Sequence, residues 1–362
     1  MPISNAEQAY ELAETGTMDD GQTEAQQSLL PPGPSSSRPY DDLLDPTERS
    51  RVPALTVGTI FIVLTVIMLF LNRAVFDPEA LDYPYPFLMS SLASLFALAI
   101  LACIGRVTRL LEGLPALQLG WSHFVQLSAP IGIFHALGIA LASIAFAHIA
   151  PATVQMLTAF VPLLVLVLTS NLGLRNISRP TIILVIATCG FVGLANLQRG
   201  GPFNIWAMFA LVGFVLSSAG KLVAVEQCLS VVYNPVIAMY VALPSTLVAT
   251  LFFVPLLEGR AAFAAFWSHI GLFVLIPYVT LAALHIVSLF FMVAWTSALS
   301  TALCALAVEM IVMLFGGLSG AQSSGIRILG YFGASFGLAA YLASRGKVEE
   351  LRDVVLRKRD SR

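Results

Sequence analysis

Three ionisable side chains, Lys221, Glu226 and Glu309, lie inside long runs of apolar residues. A charge in such a run is costly to bury in a membrane, so it usually faces a cavity and takes part in binding or transport. Glu309 lies near the middle of its run and is a candidate either for a cavity role or for a hydrogen bond between helices. Glu226 lies near the end of its run, from where we expect it to reach the membrane surface.

Lys221 has two interpretations. Its ammonium either snorkels to the inner leaflet along its aliphatic stem or contacts an anion in a cavity. Lys221 and Glu226 are five residues apart, which places them about 140° apart around a helix, so they do not face each other.

The other reactive side chains form no recognisable catalytic or metal-binding motif. His135 and His285 lie singly in apolar runs, where most histidines are hydrogen-bonded core residues. The cysteines also lie singly, without the spacing of a zinc site or a disulfide framework: Cys103, Cys189, Cys228 and Cys304. The nucleophile elbow, the Walker A loop and the dinucleotide fingerprint are missing as well. We therefore expect no metal, no cofactor and no enzymatic activity.

The composition excludes an ordinary soluble protein. Apolar residues make up 57% of the chain and charged residues 11%, whereas globular domains contain roughly 25% charged residues. The 293 residues from 52 to 344 hold only 16 charges, so we expect the lipid bilayer to surround them. No basic patch with interleaved aromatic residues indicates a nucleic-acid partner.

Apolar segments long enough to cross the bilayer recur through this stretch, since about 20 residues span the roughly 30 Å of hydrocarbon. Ten spans are predicted, at 53–72, 86–104, 124–147, 150–171, 180–197, 204–231, 235–256, 270–294, 298–318 and 325–344. The weakest boundary is at Ala150-Pro151. With both termini on one face, that face collects 14 Lys and Arg residues and the other four. The positive-inside rule then predicts that both termini are cytosolic.

The chain divides into four predicted regions. Residues 1–52 form an acidic cytosolic tail without apolar periodicity, so we expect it to be disordered and to contain neither a secretory signal nor a transit peptide. Residues 53–197 and 204–344 are two five-helix halves, and glycine patterns late in each half resemble one another. Such a five-plus-five repeat places a substrate site near the midplane between the halves. Residues 345–362 are a basic cytosolic tail that either lies on the anionic leaflet as a short helix or is solvated.

Several stretches, in order, resemble the triose-phosphate/nucleotide-sugar transporter family of the drug/metabolite transporter superfamily. They are Leu71-Asn72-Arg73 followed by Tyr83-Pro84-Tyr85-Pro86, then His135-Ala136-Leu137-Gly138, then Gln155 through Pro162, and finally Asn234-Pro235 with Tyr240 and Pro244. The resemblance extends over about residues 55–345. It implies an all-α integral membrane protein with ten helices in two inverted repeats that works by alternating access. Nucleotide sugars or sugar phosphates, exchanged for a nucleotide monophosphate or phosphate, are the substrates that it implies.

The departures from the family pattern concern charge. The family carries a lysine in its fourth helix and a basic pair in its ninth, and the matching residues here are Thr158, and Val308 with Glu309. That change disfavours a phosphate dianion, because an unpaired charge in a low-dielectric site costs several kcal/mol. Lys221 lies near a basic residue that many members carry in their sixth helix. It either remains as the anion contact or pairs with Glu309 and leaves the cavity neutral.

The candidate substrate-binding residues are therefore Lys221, Glu309, Tyr240, Thr158, Gln155, His135 and Asn72. We expect a solute transporter, with the exchange of nucleotide sugars or sugar phosphates as the first interpretation. A carrier of an uncharged or zwitterionic metabolite, proton-coupled through Glu309, is the second, and a scaffold without transport is the third. The resemblance implies a Golgi or endoplasmic reticulum membrane. The expected partners are a small-molecule substrate, a counter-substrate and lipid, and a homodimer stays open.

The predicted topology is testable at the sequon Asn176-Ile177-Ser178. The sequon falls on the cytosolic side, so Asn176 is expected to remain unglycosylated in cells that glycosylate secreted proteins. A mass shift that is removed by glycosidase and lost in Asn176→Gln would contradict the topology.

Overall fold

The computed structural model describes residues 51–76, 79–108, 111, 120–149, 151–174, 178–195, 204–318 and 329–341. In these ranges the regular structure is entirely helical. The described residues from Val52 onward belong to one compact unit. The predicted tail over residues 1–50, the sequon asparagine Asn176 and the basic tail over residues 345–362 lie outside the described residues.

The helices follow the apolar segments of the sequence. They are α1 Arg51–Phe76, α2 Pro86–Val107, α3 Trp121–His148, α4 Pro151–Thr158, α5 Val161–Asn171, α6 Arg179–Ala195, α7 Ile205–Val232, α8 Pro235–Phe253, α9 Gly259–His269, α10 Gly271–Trp295, α11 Ala298–Leu318 and α12 over residues 329–341. A π-helical turn, Val254–Glu258, joins α8 to α9.

Seven helical stretches of the described chain are long and apolar enough to cross a membrane. Two of them combine neighbouring elements, because α4 and α5 form one stretch and α8 continues through the π-helical turn into α9. The helix α6 and the described part of α11 are apolar but shorter. These findings agree with a multi-pass membrane protein, while the count of ten spans and the cytosolic termini stay predictions.

Local sequence explains where several helices begin. The Asn204 side chain accepts hydrogen bonds from the backbone N–H groups of Trp206 and Ala207 at 3.0 and 3.3 Å. The Asn234 side chain accepts one from Val236 at 2.9 Å, and Pro235 follows it in the first turn of α8. Asparagine before the helix and proline in its first turn are the usual initiating residues, because both leave few unpaired N–H groups.

The helix α2 starts with help from a distant residue. The Glu258 carboxylate, in the π-helical turn, accepts hydrogen bonds from the N–H groups of Phe87 at 2.6 Å and Leu88 at 2.9 Å. Next to it, the hydroxyl of the buried Tyr83 donates to the Ala262 carbonyl at 2.9 Å. Burial, together with the nearby Glu258 carboxylate, raises the pKa of the Tyr83 phenol, so this donor stays protonated. The two contacts hold the α1–α2 connection against α9.

Small residues bring α3 close to its neighbours, as is common where membrane helices pack. Along α3 and α7 the contacts pair Phe134 with Gly220, Gly138 with Ser217 and Leu141 with Gly213. The pairs run in opposite directions along the two helices, so α3 and α7 are antiparallel. On another side of α3, Gly132 packs directly against the carbonyl of Ser245 in α8.

The packing between the two predicted halves is reciprocal. The helix α2 packs on α8, α5 packs on α11, and Gly330, Gly333 and Gly337 of α12 pack on α6. In addition α3 packs on α8 and α2 packs on α10. A two-fold axis that exchanged the halves would map each of the first three pairs onto itself and the last two onto each other. The pattern supports the inverted repeat, which remains a prediction, as do the boundaries of the two halves.

The close approach at Gly132 generates a prediction. A methyl group there would collide with the Ser245 carbonyl, whereas a methyl group on Gly190 would meet nothing within 4 Å. Gly132→Ala is therefore expected to lower the free energy of unfolding by about 1–3 kcal/mol. Gly190→Ala is the matched control, expected to leave it nearly unchanged or slightly higher. Thermal unfolding of both variants in detergent measures the difference, and equal stability would contradict the packing of α3 on α8.

Candidate functional site

A cavity of about 170 Å³ lies between α3 and α7 near the middle of both helices. Its walls are formed by Phe134, His135, Gly138, Ile139 and Ala142 of α3 and by Phe214, Ser217, Ser218 and Lys221 of α7. The space exists because glycine and serine occupy the facing surfaces where larger side chains would fill it. A mostly apolar lining with a few polar groups is typical of a small-molecule site.

Lys221 is the charged residue of this lining. The side chain is partly buried, and it forms no hydrogen bond or ion pair with another described residue. An unpaired ammonium within a helix that spans the membrane is energetically costly. Its position in the wall of the cavity favours the anion-contact interpretation of Lys221 over the snorkelling one.

Two histidines surround the charge of Lys221. His135 and His285 are both close enough to Lys221 to interact with it electrostatically. The two histidines also interact with each other. His135 Nε2 is hydrogen-bonded to the Ser90 hydroxyl at 3.0 Å. The His285 ring stacks on Phe61 with 5.6 Å between ring centroids. The helices α3, α7 and α10 thus bring two histidines and one lysine together.

Sequence reasoning set His285 aside as a core residue, and the structure places it beside the candidate site. Its neighbours belong to the interface between α1 and α10, which we call the seam. In the seam the two helices run antiparallel and contact each other every seven residues. Met292 lies against Gly58, and His285 Nδ1 lies 3.5 Å from the Thr65 hydroxyl. The depth of His285 within its apolar run, similar to that of Lys221, was the signal available in the sequence.

Asn72 belongs to the same seam. The Tyr278 hydroxyl donates to the Asn72 side-chain oxygen at 2.9 Å, so Asn72 ties α1 to the helix that carries His285. Tyr240 packs, partly buried, against the apolar cluster formed mainly by α7, α8 and α10. Neither residue lines the cavity, and the substrate contacts predicted for them remain predictions.

The predicted residues Gln155, Thr158 and Glu309 form a second polar group, which we call the oxygen cluster. The Thr158 hydroxyl donates to Glu309 Oε2 at 3.1 Å and to the Gln155 carbonyl at 3.1 Å. Gln155 lies one turn before Thr158 on the same side of α4, and its buried side-chain oxygen has no hydrogen-bond partner among the described residues. The pairing of Lys221 with Glu309, one of the two alternatives from the sequence, does not occur.

Glu226 corrects an expectation. Instead of reaching the membrane surface, it is 9% exposed and accepts a hydrogen bond at 3.3 Å from the N–H group of Ala298, the first residue of α11. The first N–H groups of a helix lack partners within the helix, and the helix dipole favours a negative charge at that end. Burial against α11 therefore satisfies both the carboxylate and the helix.

Comparisons with known proteins agree with the resemblance drawn from the motifs. Over 287 residues the chain is 24% identical to a protein of Arabidopsis thaliana named a probable sugar phosphate/phosphate translocator, covering 78% of this chain and 85% of that protein. A second Arabidopsis protein of the same name is 26% identical over 293 residues, covering 78% of this chain and 84% of the relative. No protein-family model matches the chain.

A solved crystal structure is similar in fold, with a TM-score of 0.55 over 82% of this chain and 99% of that chain, at 17% identity. At this identity the likeness shows the fold alone. The curated relatives confirm the resemblance to the triose-phosphate/nucleotide-sugar transporter family, at low identity. They are named translocators and not enzymes, which confirms the prediction that the chain is not an enzyme.

The bond between Thr158 and Glu309 generates a prediction about stability. Thr158→Val removes the donor and leaves the carboxylate without this partner, so we expect the free energy of unfolding to fall by about 1–3 kcal/mol. The double variant Thr158→Val/Glu309→Leu removes both partners and should lose less than the single variant. Thermal unfolding of both variants in detergent measures the difference. A double variant that is less stable than Thr158→Val would show that the carboxylate has stabilising partners of its own.

Proposed function

We propose that the chain is a membrane transporter for a small organic phosphate, with a sugar phosphate as the first substrate class. The observation that carries the proposal is the cavity of about 170 Å³ with Lys221 in its wall. The relatives named sugar phosphate/phosphate translocators support the same class. In this proposal the phosphate binds at Lys221, near the midplane, where transporters with inverted repeats bind their substrates.

Electrostatics explain why an anion would occupy the cavity. Lys221 has no carboxylate partner among the described residues, and burying an ion without a counter-charge costs several kcal/mol. A phosphate group supplies that counter-charge, and its several oxygens accept hydrogen bonds at once. The hydroxyls of Ser217 and Ser218 also line the cavity, and His135 adds a ring nitrogen.

The size of the cavity favours a sugar phosphate over a nucleotide sugar. Pockets for drug-sized ligands measure roughly 300–1,000 Å³, and this cavity is about 170 Å³. A metabolite with a few carbons and one phosphate fits that volume. A nucleotide sugar would require the walls of α3 and α7 to separate, so we rank it second among the phosphorylated substrates.

Exchange by alternating access is part of the proposal. Inorganic phosphate is the counter-substrate that we propose, because it keeps the group that Lys221 binds and lacks the organic part. The reciprocal packing of the two halves supports a rocking motion around the midplane. A Golgi or endoplasmic reticulum membrane is proposed from the family resemblance alone.

A second candidate function follows from the oxygen cluster. Thr158 and Glu309 occupy the places where the family carries basic residues, and they bind each other. Glu309 and Lys221 do not pair with each other, so an ionised Glu309 and Lys221 offer one negative and one positive site. Such a pair of sites suits a zwitterionic metabolite. An uncharged metabolite would instead be carried together with a proton on Glu309.

Transport by reconstituted protein tests the first proposal. Proteoliposomes loaded with phosphate are expected to take up labelled phosphate or a triose phosphate by exchange. Lys221→Gln should lower the rate by about 10- to 100-fold, because a hydrogen bond to a charged group contributes roughly 1.5–3 kcal/mol. Lys221→Arg should retain part of the activity, since the charge remains.

The matched control is Lys347→Gln, which removes the same charge from the C-terminal tail and should transport at the rate of the unchanged chain. Exchange that survives Lys221→Gln would overturn the role of the lysine. Uptake of a zwitterionic metabolite without any phosphate exchange would favour the second candidate.

A further inference from the structure

The oxygen cluster of Gln155, Thr158 and Glu309 has a composition that differs from that of the cavity at Lys221. The Thr158 hydroxyl contacts the Glu309 carboxylate and the Gln155 backbone carbonyl, and the Gln155 amide belongs to the same side of α4, one turn earlier. Glu309 is partly buried within α11, and Thr158 is 9% exposed. The Gln155 oxygen is buried without a hydrogen-bond partner among the described residues. An acceptor of this kind usually has a water or an ion that satisfies it.

A break in the helix adds a backbone oxygen to the same place. The helix α4 ends at Thr158, and α5 begins at Val161 after a two-residue turn. The next residue is Pro162, whose backbone nitrogen carries no hydrogen. The Thr158 carbonyl, four residues earlier, therefore lacks its usual helical hydrogen-bond donor. The backbone around the break bonds elsewhere, since Phe160 N donates to the Leu157 carbonyl at 3.0 Å. Unwound carbonyls in broken membrane helices are typical ligands of coupling cations.

The charge balance points the same way. Thr158 is the described residue that interacts with the Glu309 carboxylate, and no charged side chain of the described residues does so. Lys221 instead interacts electrostatically with His135 and His285. When Glu309 is ionised, its negative charge has no counter-charge among the described residues, in a span where such a charge costs several kcal/mol.

We propose that Gln155, Thr158 and Glu309 bind a sodium ion. Oxygen ligands select hard cations, and one carboxylate balances one positive charge. Calcium takes six to eight oxygen ligands, and a single carboxylate leaves half of the charge of calcium or magnesium unbalanced.

The sodium site would couple an ion to the proposed transport. Binding of sodium at the oxygen cluster is independent of the proposed sugar phosphate transport, whereas coupling of the two rests on that function. In the coupled cycle the ion neutralises Glu309 while the phosphate neutralises Lys221. The interior then carries less unpaired charge during the transition between the two open states.

Thermal unfolding of the purified full-length chain in detergent tests the site without any transport. Sodium chloride is titrated against choline chloride at constant ionic strength. We expect a saturable rise in Tm with sodium, and we expect Glu309→Gln to abolish it. Gln155→Leu and Thr158→Val should raise the half-saturating sodium concentration. These two milder variants keep the test decisive if Glu309→Gln does not fold.

The control variant is Lys221→Gln, which should keep the full response to sodium. The same samples are titrated with glycerol 3-phosphate, whose effect on Tm should disappear in Lys221→Gln and persist in Glu309→Gln. No response to sodium in the unchanged chain, or an equal response in Glu309→Gln, overturns the sodium site. A sodium response without a phosphate response leaves the site intact and removes the proposed substrate class.

Discussion

A polar group that enters the hydrocarbon core of a membrane has to find its partner inside the protein, because no water is available there. This constraint organises the described part of the chain. Glu226 and Glu258 lie against the first N–H groups of α11 and α2, so each carboxylate and each helix end satisfies the other. Asn72 and Tyr278 pair across the seam between α1 and α10. These contacts position helices, and none of them involves the cavity.

Against this background, the groups that lack complete partners are informative. Lys221 lies in the cavity wall without an ionic partner among the described residues, and the Gln155 side-chain oxygen is buried without a hydrogen bond. Lys221 belongs to a helix that packs through small residues, where the backbones approach closely. In a membrane interior such unsatisfied groups are expensive. Their presence in two separate places is the physical basis for a site with a positive part and a negative part.

Lys221 and the oxygen cluster lie in separate places. This separation bears on the basic residues of the family that this chain lacks. Thr158 and Glu309, at the places of the family's cations, hold each other through a hydrogen bond. The lysine of α7 is consequently free to act on an anion, with two histidines near it that come from α3 and α10. The loss of basic residues at one place is therefore compatible with a phosphate site at another. In the proposed sodium site, the ionised Glu309 carboxylate is balanced by a cation of its own.

The sequence by itself determined the class of the protein, the segments that become helices and the few ionisable residues worth attention. These follow from composition and from apolar length, which are properties of neighbouring residues along the chain. Which residues meet was decided by the tertiary structure. The helical repeat predicts which side chains share a face of one helix, but the facing helix is chosen by the packing of small residues such as Gly132 and Gly220. For that reason His285 joined Lys221, Glu309 joined Thr158, and Glu226 turned inward to a helix end.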